Sequence, residues 1–316
     1  MKMIHGIGRA CEICTDFFLQ NIVRLVGAYP LSRGWLNAVY LRLTPSQRSL
    51  FHRKYSKIFR SKYVRGRPGV WKIDFVGKQI LMPLTTERFW LDWDTAVSIV
   101  GHETEIKETY MALIGSPEVP DLFLDVGANY GTHSLLFLVH NIEAITYEPN
   151  SSCHDYFRQI CELNGVEPHL ETVALGDSDG YVELSYPEKD TWQGTTDKDV
   201  AEKLGGSQVL MKKVVKQKML DDYLSEFENK SLLIKIDTEG NEYRVLHGAL
   251  KTLQKNKPKI IFECWRDNAR EKIFDMFAAQ GYSIHHLPWT PNKPVQAMDS
   301  SSFAASPAVD YIAIPI

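Results

Sequence analysis

A short apolar run that opens into a glycine-bearing turn, with an acidic residue closing the next apolar run, leaves this chain few folds to choose from. Residues 121–131 read Asp-Leu-Phe-Leu-Asp-Val-Gly-Ala-Asn-Tyr-Gly, and Glu148-Pro149 ends the run that follows. Leu122 to Leu124 predict a short buried strand and Tyr130 to His140 a helix, so Gly127 and Gly131 let backbone N–H groups at the turn approach a polar ligand closely. Glu148 stands about 21 residues beyond Gly127, the spacing at which an acid on the second strand accepts hydrogen bonds from two ribose hydroxyls. The turn is a candidate site for a nucleoside cofactor.

The departures from the dinucleotide fingerprint narrow the choice. A pyrophosphate requires Gly-x-Gly-x-x-Gly, whereas here Asn129 stands where the second glycine should be. Asp125 adds a negative charge that repels phosphates and suits the ammonium and sulfonium groups of S-adenosylmethionine.

Strands and helices alternate through the rest of the chain. Ala144 to Tyr147 predict a second strand, and a helix beginning near Asn150 stops at Gly165. A third strand is expected over Leu170 to Ala174, with shorter ones over Tyr181 to Ser185 and Val209 to Lys216 and an irregular polar stretch, Tyr186 to Gln208, between those two. Ser231 to Asp237 reads as the fourth main strand. Thr238 is placed to cap a helix running through Val245, Leu246, Ala249, Leu250 and Leu253, with Glu239 and Glu242 in its first turn. Ile260 to Phe262, a helix over Ala269 to Gln280, and strands over Tyr282 to Leu287 and Asp310 to Pro315 complete the pattern, with no helix expected between the last two. The fold class is α/β: a doubly wound, Rossmann-like sheet whose terminal strand, reached by a long loop rather than a crossover helix, runs antiparallel. Ligands bind at the carboxyl ends of such strands, which gathers Asp125, Glu148, Asp237 and Glu263 on one edge with the segment Pro288 to Val309 over it.

Charge divides the chain. Residues 1–72 carry 14 Lys and Arg against Glu12 and Asp16, and the remainder carries 22 basic against 37 acidic residues. A basic, mostly helical extension over residues 1–70 is expected to precede a catalytic domain over 71–316. Such an arm could meet a membrane surface peripherally, a phosphorylated substrate, nucleic acid, or the acidic face of its own domain. Its aromatics, Trp35 and Tyr40 among them, suit helix packing and lack the interleaved surface of an RNA binder, so nucleic acid is not the expected partner. Five cysteines without framework spacing point to a reducing, cytoplasmic setting. Cys11 and Cys14 read as a helical pair rather than a metal site. The apolar stretch Ile13 to Val26 is broken by Asp16 and Arg24, and predicts neither a span nor an export signal.

Several blocks then resemble the FkbM methyltransferases: Asp-Val-Gly-Ala-Asn-Tyr-Gly at 125–131, Glu148-Pro149, Val173-Ala174-Leu175-Gly176-Asp177, Leu220-Asp221-Asp222, Ile234-Lys-Ile-Asp-Thr-Glu-Gly240 and Leu246-x-Gly248-Ala249. The resemblance covers roughly residues 71–316, and the 234–240 block is its most specific part. It implies an S-adenosylmethionine-dependent enzyme that methylates hydroxyl groups, often on sugars or natural-product scaffolds. It places Asp125, Gly127, Ala128, Asn129, Gly131 and Thr132 at the methionine end of the cofactor, Glu148 and Pro149 at the ribose, and Val173 and Ala174 at the adenine.

Methyl transfer to an alcohol needs in-line approach and a destination for the hydroxyl proton. Asp237 and Glu239, at the end of the fourth strand, are candidates for a base or for holding a divalent metal such as Mg²⁺. Lys235 shares a strand face with Asp237, as an ion-pair partner or as a part of the chemistry, and Glu263 ends the neighbouring strand. His133 is read as contacting ligand or facing solvent. His285 and His286 lie on opposite faces of a strand and cannot serve one site. Trp192 and Trp289 offer stacking surfaces or loop anchors. The expected reaction is O-methylation of a small-molecule acceptor, a saccharide or a glycolipid or natural-product precursor. N-methylation of a similar acceptor, and a non-catalytic nucleoside- or RNA-binding protein, are the alternatives that the residues leave open.

Overall fold

The computed structural model describes residues 69–84, 103–188, 191–265, 269–293 and 296–316, with a few positions between 31 and 47. The expectations for Cys11, Cys14, the stretch 13–26 and most of the basic extension fall outside the described residues, as does the side chain of Trp192. The chain divides into two compact units, Met1–Thr104 and Glu105–Ile316. In the first, β1 (Gly69–Phe75) and β2 (Lys78–Leu84) form an antiparallel hairpin. Its turn places Val76 and Gly77 at positive φ, the twist that two-residue hairpin loops require.

The second unit carries the candidate site. Its elements are α1 (Thr104–Ile114, nearly all in this unit), β3 (Leu122–Val126), α2 (Thr132–Leu138), β4 (Glu143–Tyr147), α3 (Ser151–Asn164), β5 (His169–Glu171), β6 (Ala174–Leu175), β7 (Gly180–Pro187), α4 (Lys198–Gly205), β8 (Leu210–Lys218), β9 (Leu232–Ile236), α5 (Glu242–His247), α6 (Leu250–Asn256), β10 (Lys259–Glu263), α7 (Arg270–Ala279), β11 (Tyr282–His286), α8 (Ser300–Ala305) and β12 (Asp310–Pro315). The main sheet has the order β11-β12-β10-β9-β3-β4-β5. All its pairings are parallel except those of β12, which lies antiparallel between β10 and β11. This is the expected doubly wound sheet with its reversed terminal strand.

β3 and β9 are buried along their whole length, as strands covered on both faces must be. Each nevertheless carries one charge, and the register sets these two, Asp125 and Lys235, opposite each other. Two ions that would each be costly to bury alone are thereby compensated.

Four expectations need correction. The third strand is two: β5 extends the main sheet beside β4, whereas β6 belongs to a separate three-stranded sheet of order β6-β8-β7. The helix after Asp237 starts later, with Asn241 rather than Thr238 at its N-cap position, and breaks at Gly248 into α5 and α6. The stretch 186–208 is not irregular, since β7 runs on to Pro187, Thr195 bridges back to Ser185, and α4 is capped by the Asp197 carboxylate on the N–H groups of Asp199 and Val200. Between β11 and β12 lies the short α8, capped by Asp299.

Arg270 secures this last connection. It is buried, and its guanidinium donates to the carbonyls of Cys264, Phe303, Ser306 and Ala308 at 2.7 to 2.9 Å. Phe303 and Tyr311 present their rings to the same cation at 5.4 and 5.3 Å.

Three blocks distant in sequence meet at one junction. A Cβ on Gly248 would stand 1.9 Å from the carbonyl oxygen of Gly176, so only glycine fits there. Asp221 donates its N–H to the Gly248 carbonyl, and its carboxylate accepts from the N–H groups of Lys251 and Thr252. It caps α6 from a remote part of the chain.

Candidate active site

The turn after β3 takes left-handed backbone at three alternate residues: Gly127 (φ 76°), Asn129 (φ 50°) and Gly131 (φ 66°). Asparagine tolerates that region better than most side-chain-bearing residues, which explains its place between two glycines. A Cβ on Gly127 would lie 1.8 Å from the Asp237 carbonyl oxygen, and one on Gly131 would lie 2.1 Å from the Phe157 ring. The turn after β3 and the end of β9 are therefore in backbone contact. The Asp237 N–H also donates to the Val126 carbonyl at 3.0 Å.

Asp125 lies near the end of β3. It is fully buried, and its Oδ2 accepts from the Ser134 N–H at 3.0 Å and the Ser134 hydroxyl at 2.8 Å, fixing the start of α2 to β3. Burial raises its carboxyl pKa, while Lys235 opposes the rise. Glu148 is the acid at the turn itself. Its Oε2 accepts from the Asn129 N–H at 2.7 Å and its Oε1 from the Asn150 N–H at 2.6 Å, leaving lone pairs on both oxygens. Burial pushes its pKa up to about 7, against the lowering effect of those two N–H groups. The Asn129 side chain turns inward and accepts from the Cys153 thiol at 3.1 Å. Ala128 is buried beside Tyr147, Thr132 opens α2, and Pro149 follows Glu148 toward the start of α3. Val173 and Ala174 are buried where the chain passes from β5 to the smaller sheet.

Past β9 and β10, Asp237, Glu239 and Glu263 come together, each offering a carboxylate oxygen within 4.8 Å of the others. The Lys235 ammonium donates to Asp237 Oδ2 at 2.7 Å. Glu239 sits at φ 53° in a tight turn. The turn is braced from beneath by the buried Glu242, whose Oε1 accepts from the N–H groups of Thr238 and Gly240 and from the Thr238 hydroxyl. Glu242 thus holds the turn together, a role beyond the helix-end preference that its position predicts. Glu263 has its pKa raised to about 10 by burial and then by the charges of Asp237, Glu239 and Glu242, and the Trp265 indole N–H donates to its Oε2 at 2.8 Å. Oxygen donors alone suit a hard divalent cation, and these three carboxylates are the residues that would hold one.

The segment after β7 reaches both turns. Tyr130 and Thr191 share a hydroxyl hydrogen bond of 2.5 Å, the Thr195 hydroxyl donates to the Glu239 carbonyl at 2.7 Å, and the Asn241 amide donates to Thr196. Sequence reasoning missed Thr191, Tyr130 and Trp265; Thr191 carries no spacing signal, and Trp265 could have been found as the aromatic two residues past Glu263.

Other candidates stand apart from this edge. His133 is buried rather than facing solvent, and its Nδ1 is bonded to the Tyr110 hydroxyl at 3.0 Å. The His285 ring bonds to Ser283. Trp289 is a loop anchor: it is buried, its N–H donates to the Thr109 hydroxyl, and its ring lies under Lys259. Cys153, Cys161 and Cys264 are buried thiols, and burial raises the last two to about 12. A hollow of about 550 Å³ lined by Pro120, Asn141 and Lys230 lies at the amino ends of the strands, the end at which such sheets do not bind ligands.

A family model described as the methyltransferase FkbM domain matches residues 125–284, half of the chain. The chain belongs to the FkbM methyltransferase family. Among solved structures, methyltransferase FkbM from Methylobacillus flagellatus KT is similar at 12% identity over 72% of this chain and 54% of that one, with a TM-score of 0.39. The chain thus spans about half the length of that relative. A SAM-dependent methyltransferase from Agrobacterium tumefaciens is similar at 9% identity over 77% of this chain and 69% of that one, also with a TM-score of 0.39. No curated protein matches the chain. Among the described residues, no helix is long and apolar enough to cross a membrane.

Proposed function

We propose that this FkbM methyltransferase moves the methyl group of S-adenosylmethionine to a hydroxyl of a small-molecule acceptor, a saccharide or a related glycolipid or natural-product precursor. The observation that carries the reading is the backbone contact between Gly127 and Asp237, because it sets a nucleoside-type turn directly against a carboxylate cluster. Glu148 receives the ribose hydroxyls on its spare lone pairs. Gly127, Ala128, Asn129, Gly131 and Thr132 surround the methionine end, and Val173 and Ala174 border the adenine.

In the step itself the acceptor oxygen attacks the methyl carbon, the S–CH₃ bond breaks, and its electron pair neutralises the sulfonium. The hydroxyl proton passes to Asp237, whose Oδ2 is held by Lys235. Glu239 and Glu263 accept neighbouring hydroxyls and orient the acceptor. A divalent cation such as Mg²⁺ on Asp237, Glu239 and Glu263 would lower the hydroxyl pKa. Calorimetry with S-adenosylhomocysteine and transfer of labelled methyl to fractionated extracts test the reading. Binding of a nicotinamide dinucleotide in place of S-adenosylhomocysteine would refute it, and label found only on amines would replace O- by N-methylation.

A further inference from the structure

β10 delivers a second functional group to the catalytic edge. The run Ile-Ile-Phe ends at Glu263, Cys264 is fully buried behind it, and Trp265 emerges next. The indole N–H reaches back to Glu263 Oε2 at 2.8 Å, which fixes one edge of the ring against the carboxylate cluster. Trp265 is nevertheless 48% exposed. A buried anchor would hide its faces; this side chain has its polar atom satisfied and apolar surface left open, one hydrogen bond away from Asp237 and Glu239.

We propose that Trp265 is the platform on which the acceptor lies, and that the carboxylates beside it restrict that acceptor to an uncharged ring. The proposal rests on the saccharide reading above and deepens it. A pyranose has an apolar face of C–H groups whose positive edges suit the negative face of an indole, and a rim of hydroxyls. Laid on Trp265, such a ring directs its hydroxyls toward Glu263, Glu239 and Asp237. With no cation on the cluster, charge makes the selection. Three carboxyl groups converge, Asp237 and Glu239 among them, and the ammonium of Lys235 is engaged by Asp237. A uronate or a sugar phosphate would bring a further anion within a few ångströms of them.

The test uses the full chain, labelled S-adenosylmethionine and three sets of methyl glycosides: neutral pyranosides, the matching uronates and the matching 6-phosphates. Neutral rings are expected to accept methyl groups at least ~100-fold better than the anionic ones, the scale of a like charge about 4 Å away in a partly screened site. Trp265→Ala should raise the acceptor KM ~10-fold or more, with kcat within a few-fold and affinity for S-adenosylhomocysteine unchanged. Trp265→Phe keeps a ring and loses the N–H, so a KM near that of the wild type supports stacking. A KM as poor as that of the alanine variant would instead make Trp265 a positioning residue for Glu263 and overturn the proposal. Equal transfer to uronates or phosphates, or an unchanged KM in Trp265→Ala, would also overturn it. If S-adenosylhomocysteine binds and no glycoside of any set is methylated, the saccharide reading and this proposal fall together; if it does not bind, the cofactor assignment is at fault.

Discussion

Replacing Glu148 by glutamine separates the cofactor's contribution at this site from the fold's. The carboxylate accepts two backbone N–H groups, at 2.7 and 2.6 Å, and is fully buried. A glutamine offers one acceptor oxygen, so its NH₂ must face one of those N–H groups, leaving a buried donor unsatisfied at about 1 to 3 kcal/mol. Loss of a ribose hydrogen bond to a charged acceptor removes about 1.5 to 3 kcal/mol of binding, roughly 10- to 150-fold in Kd. The pH dependence is sharper still. Burial raises the Glu148 pKa from 4.5 to about 7. A raised carboxyl pKa means that the folded state prefers the proton, so this group subtracts stability as pH rises from 4.5 through 7, by roughly 3 kcal/mol at the most. Ribose hydroxyls donate to the anion and favour its ionised form, so binding is tightest above pH 7 and weakens up to about tenfold per unit as pH falls below it. Calorimetric titration of S-adenosylhomocysteine between pH 5.5 and 8.5 should show that slope in the wild type and a flat profile in Glu148→Gln. A variant with wild-type affinity and a wild-type slope would remove Glu148 from the ribose site.

Asp237→Asn should keep S-adenosylhomocysteine affinity within a few-fold and lose ~100-fold or more in methyl transfer, followed with labelled cofactor; unchanged turnover would exclude it as the base. Chelation with EDTA followed by Mg²⁺ restores activity only if the Asp237, Glu239 and Glu263 cluster works through a cation. Gly248→Ala puts a Cβ 1.9 Å from a backbone carbonyl remote from the chemistry, and should destabilise by about 1 to 3 kcal/mol, visible as a lower Tm with the acceptor KM unchanged. Arg270→Met strips a cation from buried carbonyls and should cost about 3 to 5 kcal/mol in denaturant unfolding.

Features with a local physical signature were legible in the sequence. The left-handed positions Gly127 and Gly131, the spacing to Glu148, the C-terminal stop at Gly165 and the reversed β12 all follow from glycine placement and apolar runs. The convergence of Asp237, Glu239 and Glu263 follows from the topology, since strand ends share an edge. What escaped depends on long-range partners. Nothing local shows that Asp125 bonds Ser134, or that Glu242 braces a turn in preference to a helix end. Thr238 has the composition of a cap, yet the turn 238–241, tied to Glu242, displaces the helix start. The break between β5 and β6 came from reading one apolar run as one strand, when its last residues pair with β8, more than 40 residues away in sequence.

The place of β12 has a consequence for how the domain is made. A strand formed by residues 310–315 lies inside the sheet, not at its rim. During synthesis β10 and β11 emerge first and must wait with open, apolar edges until that strand arrives. Unpaired edges of this kind invite association between chains. Arg270 emerges before its partners at 303, 306 and 308, and so stands ready to collect the carbonyls that guide the strand into its slot. Nascent chains halted before residue 310 should therefore be sticky and dependent on chaperones, whereas a few residues more should release a domain that closes by itself.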